Sequence, residues 1–307
     1  MSTTTAQKRA ERLAQEPLRP AEPTYSLFRG TLANMRDIAS RRELLGLLVN
    51  REFTAKYKDS ALGFVWSLIR PLALLLIYYI ALGKFMGAEK NIPSFAIFIY
   101  SGLTAWTLYS EIISIGTSSV VNNSGLVKKI YLPREVFPLS VVGSASINFA
   151  IQLAILVAAT AVTGKFPTGS RWWYLPLSLA LLYVFATAMA LLLSATNVYL
   201  RDVQYLVEVA LMILFWASPV VYSWQMAGNA LAASRAGGRL LEELYLANPA
   251  TLIVLGFQRV FWVAGSDRPF PADLGARLGT ALAASLVILW ISQRVFARMQ
   301  GNFAQEL

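Results

Sequence analysis

Residues 43–71 read ELLGLLVNREFTAKYKDSALGFVWSLIRP. Over the first half, Leu45, Val49, Phe53 and Tyr57 recur one helical turn apart, with Leu44 and Leu48 beside them. Arg41, Arg42, Asn50, Arg51 and Lys58 supply polar faces. That pattern predicts an amphipathic helix lying along a membrane surface. The second half turns apolar without a break and predicts the start of a membrane span. A surface helix fixed to the first span suggests a part built to be pushed.

The composition points the same way. Apolar residues make up 56% and charged residues 14% of the 307 positions, against about 25% charged in soluble domains. Mean hydropathy is +0.52. The apolar text runs almost to the end, which predicts one membrane domain. There is no cysteine and no histidine. Disulfides, thiolate metal sites, the commonest general base and the usual zinc ligand are therefore excluded, and an enzyme would have to rely on carboxylates. The net charge of +10 bears on orientation and anionic lipid before nucleic acid, and no nucleic-acid partner is expected. The first 60 residues are polar and basic with no short apolar core, so the N-terminus is expected to stay in the cytoplasm.

The expected fold is an all-α integral membrane domain with six transmembrane helices. An N-terminal amphipathic interface helix precedes them, and re-entrant helices precede the last span. Residues 1–24, with Pro17, Pro20 and Pro23, read as a mobile cytoplasmic tail. Residues 25–60 hold the interface helix, and 61–300 the transmembrane domain. Spans are expected at about 62–84, 94–120, 137–163, 172–197, 204–224 and 274–295, each near the roughly 20 residues a bilayer requires. Ala250–Gly265 is apolar but short, follows Asn248-Pro249, and holds Gln258 and Arg259. It is expected to re-enter the membrane rather than cross it. This topology puts 17 lysines and arginines on the N-terminal side and 8 on the other. The positive-inside rule then places both termini in the cytoplasm.

No Gly-x-x-x-x-Gly-Lys-Ser/Thr phosphate loop is present, since Gly83-Lys84 and Gly164-Lys165 lack the upstream glycine and the hydroxyl. If ATP drives this protein, another subunit binds it. Five stretches now carry a resemblance. They are Arg51-Glu-Phe-x-x-Lys-Tyr-Lys-Asp-Ser-x-Leu-Gly-x-x-Trp66-Ser-Leu-x-x-Pro71, Asn123-Ser-Gly-Leu-Val-Lys-Lys-Ile-Tyr-Leu-Pro-Arg-Glu-Val-Phe-Pro138, Asn197-x-x-x-Arg201-Asp202, Ser218-Pro219-Val-Val-Tyr222, and Asn248-Pro249 followed by Arg259. In this order, over roughly residues 40–300, the chain resembles ABC-2-type permeases of the polysaccharide export family.

The resemblance implies a homodimer in the bacterial cytoplasmic (inner) membrane, bound to two cytoplasmic ABC ATPase subunits that hold ATP and Mg. This chain itself would bind no cofactor. A channel between the two copies would carry a lipid-linked (polyprenyl-pyrophosphate) glycan. Loop 122–138 would hold the coupling helix, with Leu126, Lys128, Lys129, Tyr131, Leu132, Pro133, Arg134 and Glu135 toward the ATPase. The interface helix would add Arg51, Phe53, Lys56, Tyr57 and Lys58. Residues 225–265 would form an outer gate, with Pro219, Tyr222, Pro249 and Arg259.

Arg70 and Glu111 are charges inside expected spans. At ~1.5 Å per residue, Arg70 lies about 12 Å above Leu62 and Glu111 about 15 Å from the inner end of its span. Their depths match, so they can pair. Two readings stand for Arg70. It meets the pyrophosphate head group, or it is a structural partner of Glu111 or a snorkelling side chain. Aromatic rings inside a channel would let the C–H faces of sugars slide past. Tyr78, Trp106, Phe215 and Trp216 are candidates for that path, with Trp66 at its mouth. Trp172, Trp173, Trp224 and Trp262 read as interface belt residues.

Three functions compete. The first is the permease of an ATP-driven exporter of a lipid-linked polysaccharide. The second is an ABC-2 permease for a drug or small lipid. The third is a membrane glycosyltransferase, for which Glu242, Glu243, Asp267 and Asp273 are scattered carboxylates without a motif. Arginine outnumbers lysine 19 to 8, a hint of a GC-rich genome. That tilts the cargo slightly toward O-antigen or galactan over teichoic acid.

Overall fold

The computed structural model describes residues 40–57, 65–129, 132–232 and 238–307. The expected tail, Lys58, Tyr131 and the junction between the interface helix and the first span lie outside the described residues.

All regular elements among the described residues are helical. Helix α1 spans Arg42–Tyr57. Helix α2 (Trp66–Tyr78) continues through a π-helical segment to Phe85. A short α3 (Ala88–Asn91) leads into α4 (Phe95–Asn122), then α5 (Ser124–Lys129) and α6 (Val136–Val162). A 3-10 turn at Gly169–Trp173 opens α7 (Tyr174–Tyr199), followed by α8 (Val203–Trp216). Three shorter helices follow, α9 (Trp224–Ala232), α10 (Gly238–Ala247) and α11 (Pro249–Phe261). Helix α12 (Leu274–Met299) and the short α13 (Phe303–Glu306) end the chain.

Five stretches are long and apolar enough to cross a membrane: 66–85, 95–122, 136–162, 169–199 and 274–306. The pair α10–α11 is bent by 78° at Asn248 and brings the total to as many as six. Asn248 caps α11, its side chain accepting from the Ala250 amide at 3.0 Å, and Pro249 takes the first helical position. This is a favourable helix start, so a new helix begins here instead of α10 continuing. A bent pair has the geometry of a re-entrant hairpin or a broken span. Helix α8 differs from expectation. It stops at Trp216, not near 224, and its 14 residues reach only about 21 Å against a hydrocarbon core of ~30 Å. The chain turns at Ala217–Ser223, where Pro219 lacks the amide a helix would need.

Helix α4 is the axis of the bundle, packed by α6, α7, α8 and α11. Within its most apolar stretch 78% of residues are buried by protein, against 6% for the 66–85 span. Small residues permit this close approach. A Cβ added at Gly116 would lie 2.6 Å from that of Ala190 on α7, and one at Gly256 of α11 would lie 1.9 Å from the Ser178 hydroxyl. Span hydroxyls satisfy themselves on their own helix, as where Thr104 donates to the Tyr100 carbonyl and Thr117 to that of Ile113, both at 2.7 Å.

A second cluster closes the end where α1 lies. Leu48 of α1 packs with Val120, Val127, Phe137, Leu191, Phe296 and Phe303. Helix α1 therefore rests on the ends of the spans, mainly on α6, where Val49 sits against Gly143. Its apolar residues are divided, Leu44, Leu45 and Leu48 covering protein while Leu47 stays exposed. Two of the four expected belt tryptophans are also relocated. Trp224 and Trp262 are buried in the core, and Trp262 Nε1 donates to the Pro93 carbonyl at 2.6 Å. Trp173 stays 77% exposed, as a belt residue should be.

Substituting Gly116 by valine should overpack the α4–α7 contact at a cost of about 1–3 kcal/mol. The thermal unfolding midpoint of the detergent-solubilised protein should fall. Gly279→Ala, where an added Cβ meets nothing within 4 Å, should leave the midpoint in place.

Candidate functional site

A cavity of about 1020 Å³ opens beside α4, walled by α2, α4, α6 and α8 and reached by the last turn of α1. Helical periodicity explains the lining. Ser67, Arg70, Pro71, Leu74 and Tyr78 form one stripe of α2, Leu103, Trp106, Thr107, Ser110, Glu111 and Ser114 one stripe of α4, and Glu208, Leu211, Met212 and Phe215 one stripe of α8. All seven expected path residues, Trp66, Arg70, Tyr78, Trp106, Glu111, Phe215 and Trp216, border this one space. Its α2 and α8 walls carry large apolar side chains that no described residue covers, among them Leu76, Ile77, Leu206 and Ile213.

The cavity is graded along the bundle. Its charged part lies toward α1 and holds Lys56, Arg70, Glu111, Asn148 and Glu208. Lys56 forms an ion pair with Glu111, whose carboxylate also accepts from Asn148 Nδ2 at 3.2 Å. The pair is only partly wet, with side-chain exposures of 24% and 17%. The anticipated Arg70–Glu111 partnership is thus replaced. Lysine from the surface helix reaches Glu111 first, and Arg70 has no ion pair among the described residues. The rings lie farther in. Phe215 stands 5.4 Å from Trp106, 6.0 Å from Tyr78 and 5.6 Å from Trp216, centroid to centroid. Trp216 sits at the end of α8, not mid-span, and is 56% exposed.

Sequence reasoning missed Glu208, Asn148 and Gln152 as lining residues. A signal existed for each. Glu208 is a carboxylate inside an apolar run, and the two amides interrupt a span free of charge. Lys56 was expected only on the surface helix, but it also reaches the cavity.

Three of the four expected gate residues come together. Gln258 Nε2 donates to the Pro219 carbonyl at 2.7 Å, and Asn248, beside Pro249, reaches the Ser218 hydroxyl at 3.3 Å. The Tyr222 hydroxyl donates to the Trp216 carbonyl at 2.8 Å and lies 3.2 Å from that of Tyr245. Burial raises the Tyr222 phenol above its ordinary range, so it stays a donor. The turn after α8 is therefore fastened to α11. Arg259 lies apart, 4.9 Å over the Phe270 ring.

At the α1 end, α5 presents exposed Lys128 and Lys129, while Val127 is buried beneath them and Leu126 packs beside it. Arg134 sits 5.6 Å over the Phe303 ring, Leu132 and Pro133 are half-buried, and Glu135 is buried. Arg51 bonds the Asn123 side chain at the start of this loop. Phe53 is half-buried on α1, and Tyr57 ends that helix. The surface helix, the basic loop and the C-terminal helix are thus one connected body.

Residues 43–231 match the family described as ABC-2 type transporter. The O-antigen export system permease protein RfbA of Myxococcus xanthus is 29% identical over 276 residues, covering 89% of this chain and 98% of the relative. A protein of the same name from Klebsiella pneumoniae is 29% identical over 184 residues, or 60% of this chain and 70% of the relative. The polysialic acid transport protein KpsM of Escherichia coli is 23% identical over 176 residues, or 56% of this chain and 67% of that protein.

The Lys56–Glu111 contact generates a double-mutant test. Lys56→Met or Glu111→Gln alone should lower the unfolding midpoint, because each strands a half-buried charge. The double variant should recover part of the loss, with a coupling of roughly 1–3 kcal/mol. Purely additive losses would show that the two side chains do not interact.

Proposed function

The chain belongs to the ABC-2 type transporter family, and from that premise we propose that it is the membrane-spanning subunit of an ATP-driven exporter of lipid-linked polysaccharide. The observation that carries the reading is the graded cavity, with charges at the α1 end and a cluster of large rings beyond. A phosphate-bearing lipid head group needs cations that are close but not permanently neutralised, and Arg70 meets that need. A glycan needs broad faces to slide along without tight hydrogen bonds, and Tyr78, Trp106, Phe215 and Trp216 supply them. Among glycans, an O-antigen fits best, since the relative aligned over nearly its whole length carries that cargo in its name.

The uncovered α2 and α8 walls support a second copy of this chain closing the cavity into a channel. Lys128 and Lys129 on α5 then face the cytoplasm, by the positive-inside rule, where a separate ATPase subunit docks. ATP and Mg belong to that subunit. When it closes, the body formed by α1, α5 and α13 shifts and carries Lys56 with it. Loosening the Lys56–Glu111 pair opens the charged part of the cavity to the incoming head group. The turn at Ser218–Tyr222, fastened to α11, is the matching gate at the opposite face.

Two measurements test the proposal. Co-expressed with its ATPase, the chain should retain that subunit in roughly equimolar amount on purification. Lys128→Glu/Lys129→Glu should lose most of it at an unchanged level of membrane insertion. Trp106→Ala/Phe215→Ala should leave the ATPase bound but cut glycan export by about tenfold or more, the scale of one to two stacking contacts. Export at the wild-type rate by the ring-deleted chain would rule out the aromatic path.

A further inference from the structure

At the membrane face opposite α1, three arginines from separate segments converge. Arg259 lies in the last turn of α11, Arg268 in the loop that follows, and Arg171 in the 3-10 turn before α7. This face is fixed by α4. Its far end, Asn122, leads to the contact with α1, whereas its first residue follows Pro93 and Asn91, and Arg268 Nη2 donates to the Asn91 carbonyl at 2.6 Å. Arg171 braces the group by donating to the Arg259 carbonyl at 3.5 Å and to the Ser266 hydroxyl.

Arg259 and Arg268 border a second cavity of about 600 Å³, together with Tyr174, Ser266, Phe270 and the first turn of α12, while Arg171 stands behind its wall through the Ser266 bond. None of the three arginines has an ion pair among the described residues. Asp273 is the one carboxylate on the wall, which leaves the site with an excess of positive charge. The Arg259 guanidinium carbon lies over the Phe270 ring, 4.9 Å from its centroid. A cation–ring contact uses up none of the guanidinium's hydrogen-bonding capacity in an ion pair, so its N–H donors can serve a phosphate ligand. The depth is also informative. Trp173 and Phe166, 77% and 44% exposed, flank Arg171 in the manner of rings at the lipid head-group level.

We propose that this cavity binds the phosphate group of an anionic phospholipid in the leaflet opposite α1, with Arg259 and Arg268 as its donors. The shared chemistry is a phosphoryl group at head-group depth, and the source is the bilayer. The site is separate from the central cavity and does not depend on what that cavity transports. Bound lipid would tie the α7 start, the end of α11 and the α12 start together, and so would steady the region through which the outer turn is fastened.

Native mass spectrometry of the purified full-length chain, in the assembly in which it is isolated, tests this with phosphatidylglycerol or phosphatidylcholine supplied in detergent. Retained phosphatidylglycerol should exceed phosphatidylcholine. Arg259→Gln/Arg268→Gln should lower the excess by at least about tenfold, since each lost charge-assisted bond is worth about that factor. Because Arg268 also holds the Asn91 carbonyl, Arg259→Gln alone, whose side chain has the Phe270 ring as its contact among the described residues, should show a smaller loss in a normally folded protein. Arg259→Lys should keep most of the binding. Displacement of the lipid by inorganic pyrophosphate would support phosphate recognition. Equal retention of the two lipids, an unaffected glutamine variant, or binding of pyrophosphate without selective phosphatidylglycerol binding would each overturn the assignment.

Discussion

Glu111 carries its charge part-way along the most enclosed helix of the bundle, and its cation comes from the surface helix, not from a neighbouring span. A lone charge at mid-membrane costs roughly 2.5–3.5 kcal/mol on insertion scales. The carboxylate therefore demands a partner, and Lys56 and Asn148 supply one. This places the end of α1 at the mouth of the cavity. It also makes the position of a surface element and the charge state of an internal space one and the same variable. Arg70 is left without an ion pair among the described residues, beside a space large enough for a ligand.

The remaining contacts at this end act in the same direction. Leu48 anchors α1 into a cluster with Val127 of α5 and Phe303 of α13, Arg51 ties α1 to Asn123 at the start of the loop, and Arg134 ties the loop to the Phe303 ring. A push on the exposed lysines of α5 cannot move that helix alone. In the proposed exporter this is the mechanical link, and it needs no flexible connection. The opposite end is built differently. There the turn after α8 hangs on Gln258 and Asn248 hydrogen bonds, which can be exchanged one at a time.

Much of this was legible in the sequence because a bilayer is a strict solvent. Spans of about 20 apolar residues can hardly be missed, and the boundaries of α4, α6, α7 and α12 follow from them. The seven residues expected along a path, with Trp66 at its mouth, were chosen as charges and rings in or beside spans, and helical periodicity brings all seven to the border of one cavity. What failed required tertiary knowledge. Depth alone matched Arg70 to Glu111, but a partner 55 positions away on a surface helix reaches it instead. Apolar content alone extended α8 to residue 224, where Pro219 ends it. Trp224 and Trp262 looked like belt residues because sequence gives depth without direction, and both turn inward.

In the proposed exporter the cavity is half of a channel whose other half is a second copy facing α2 and α8. The chain has no cysteine, so single cysteines can be placed without interference. Met212→Cys, on the exposed cavity side of α8, and Val287→Cys, on the exposed side of α12, should be treated with a short bis-maleimide in native membranes. Cross-linked dimers from Met212→Cys with little from Val287→Cys are the predicted result. Dimers only from Val287→Cys, or from neither position, would rule out this arrangement of the two copies.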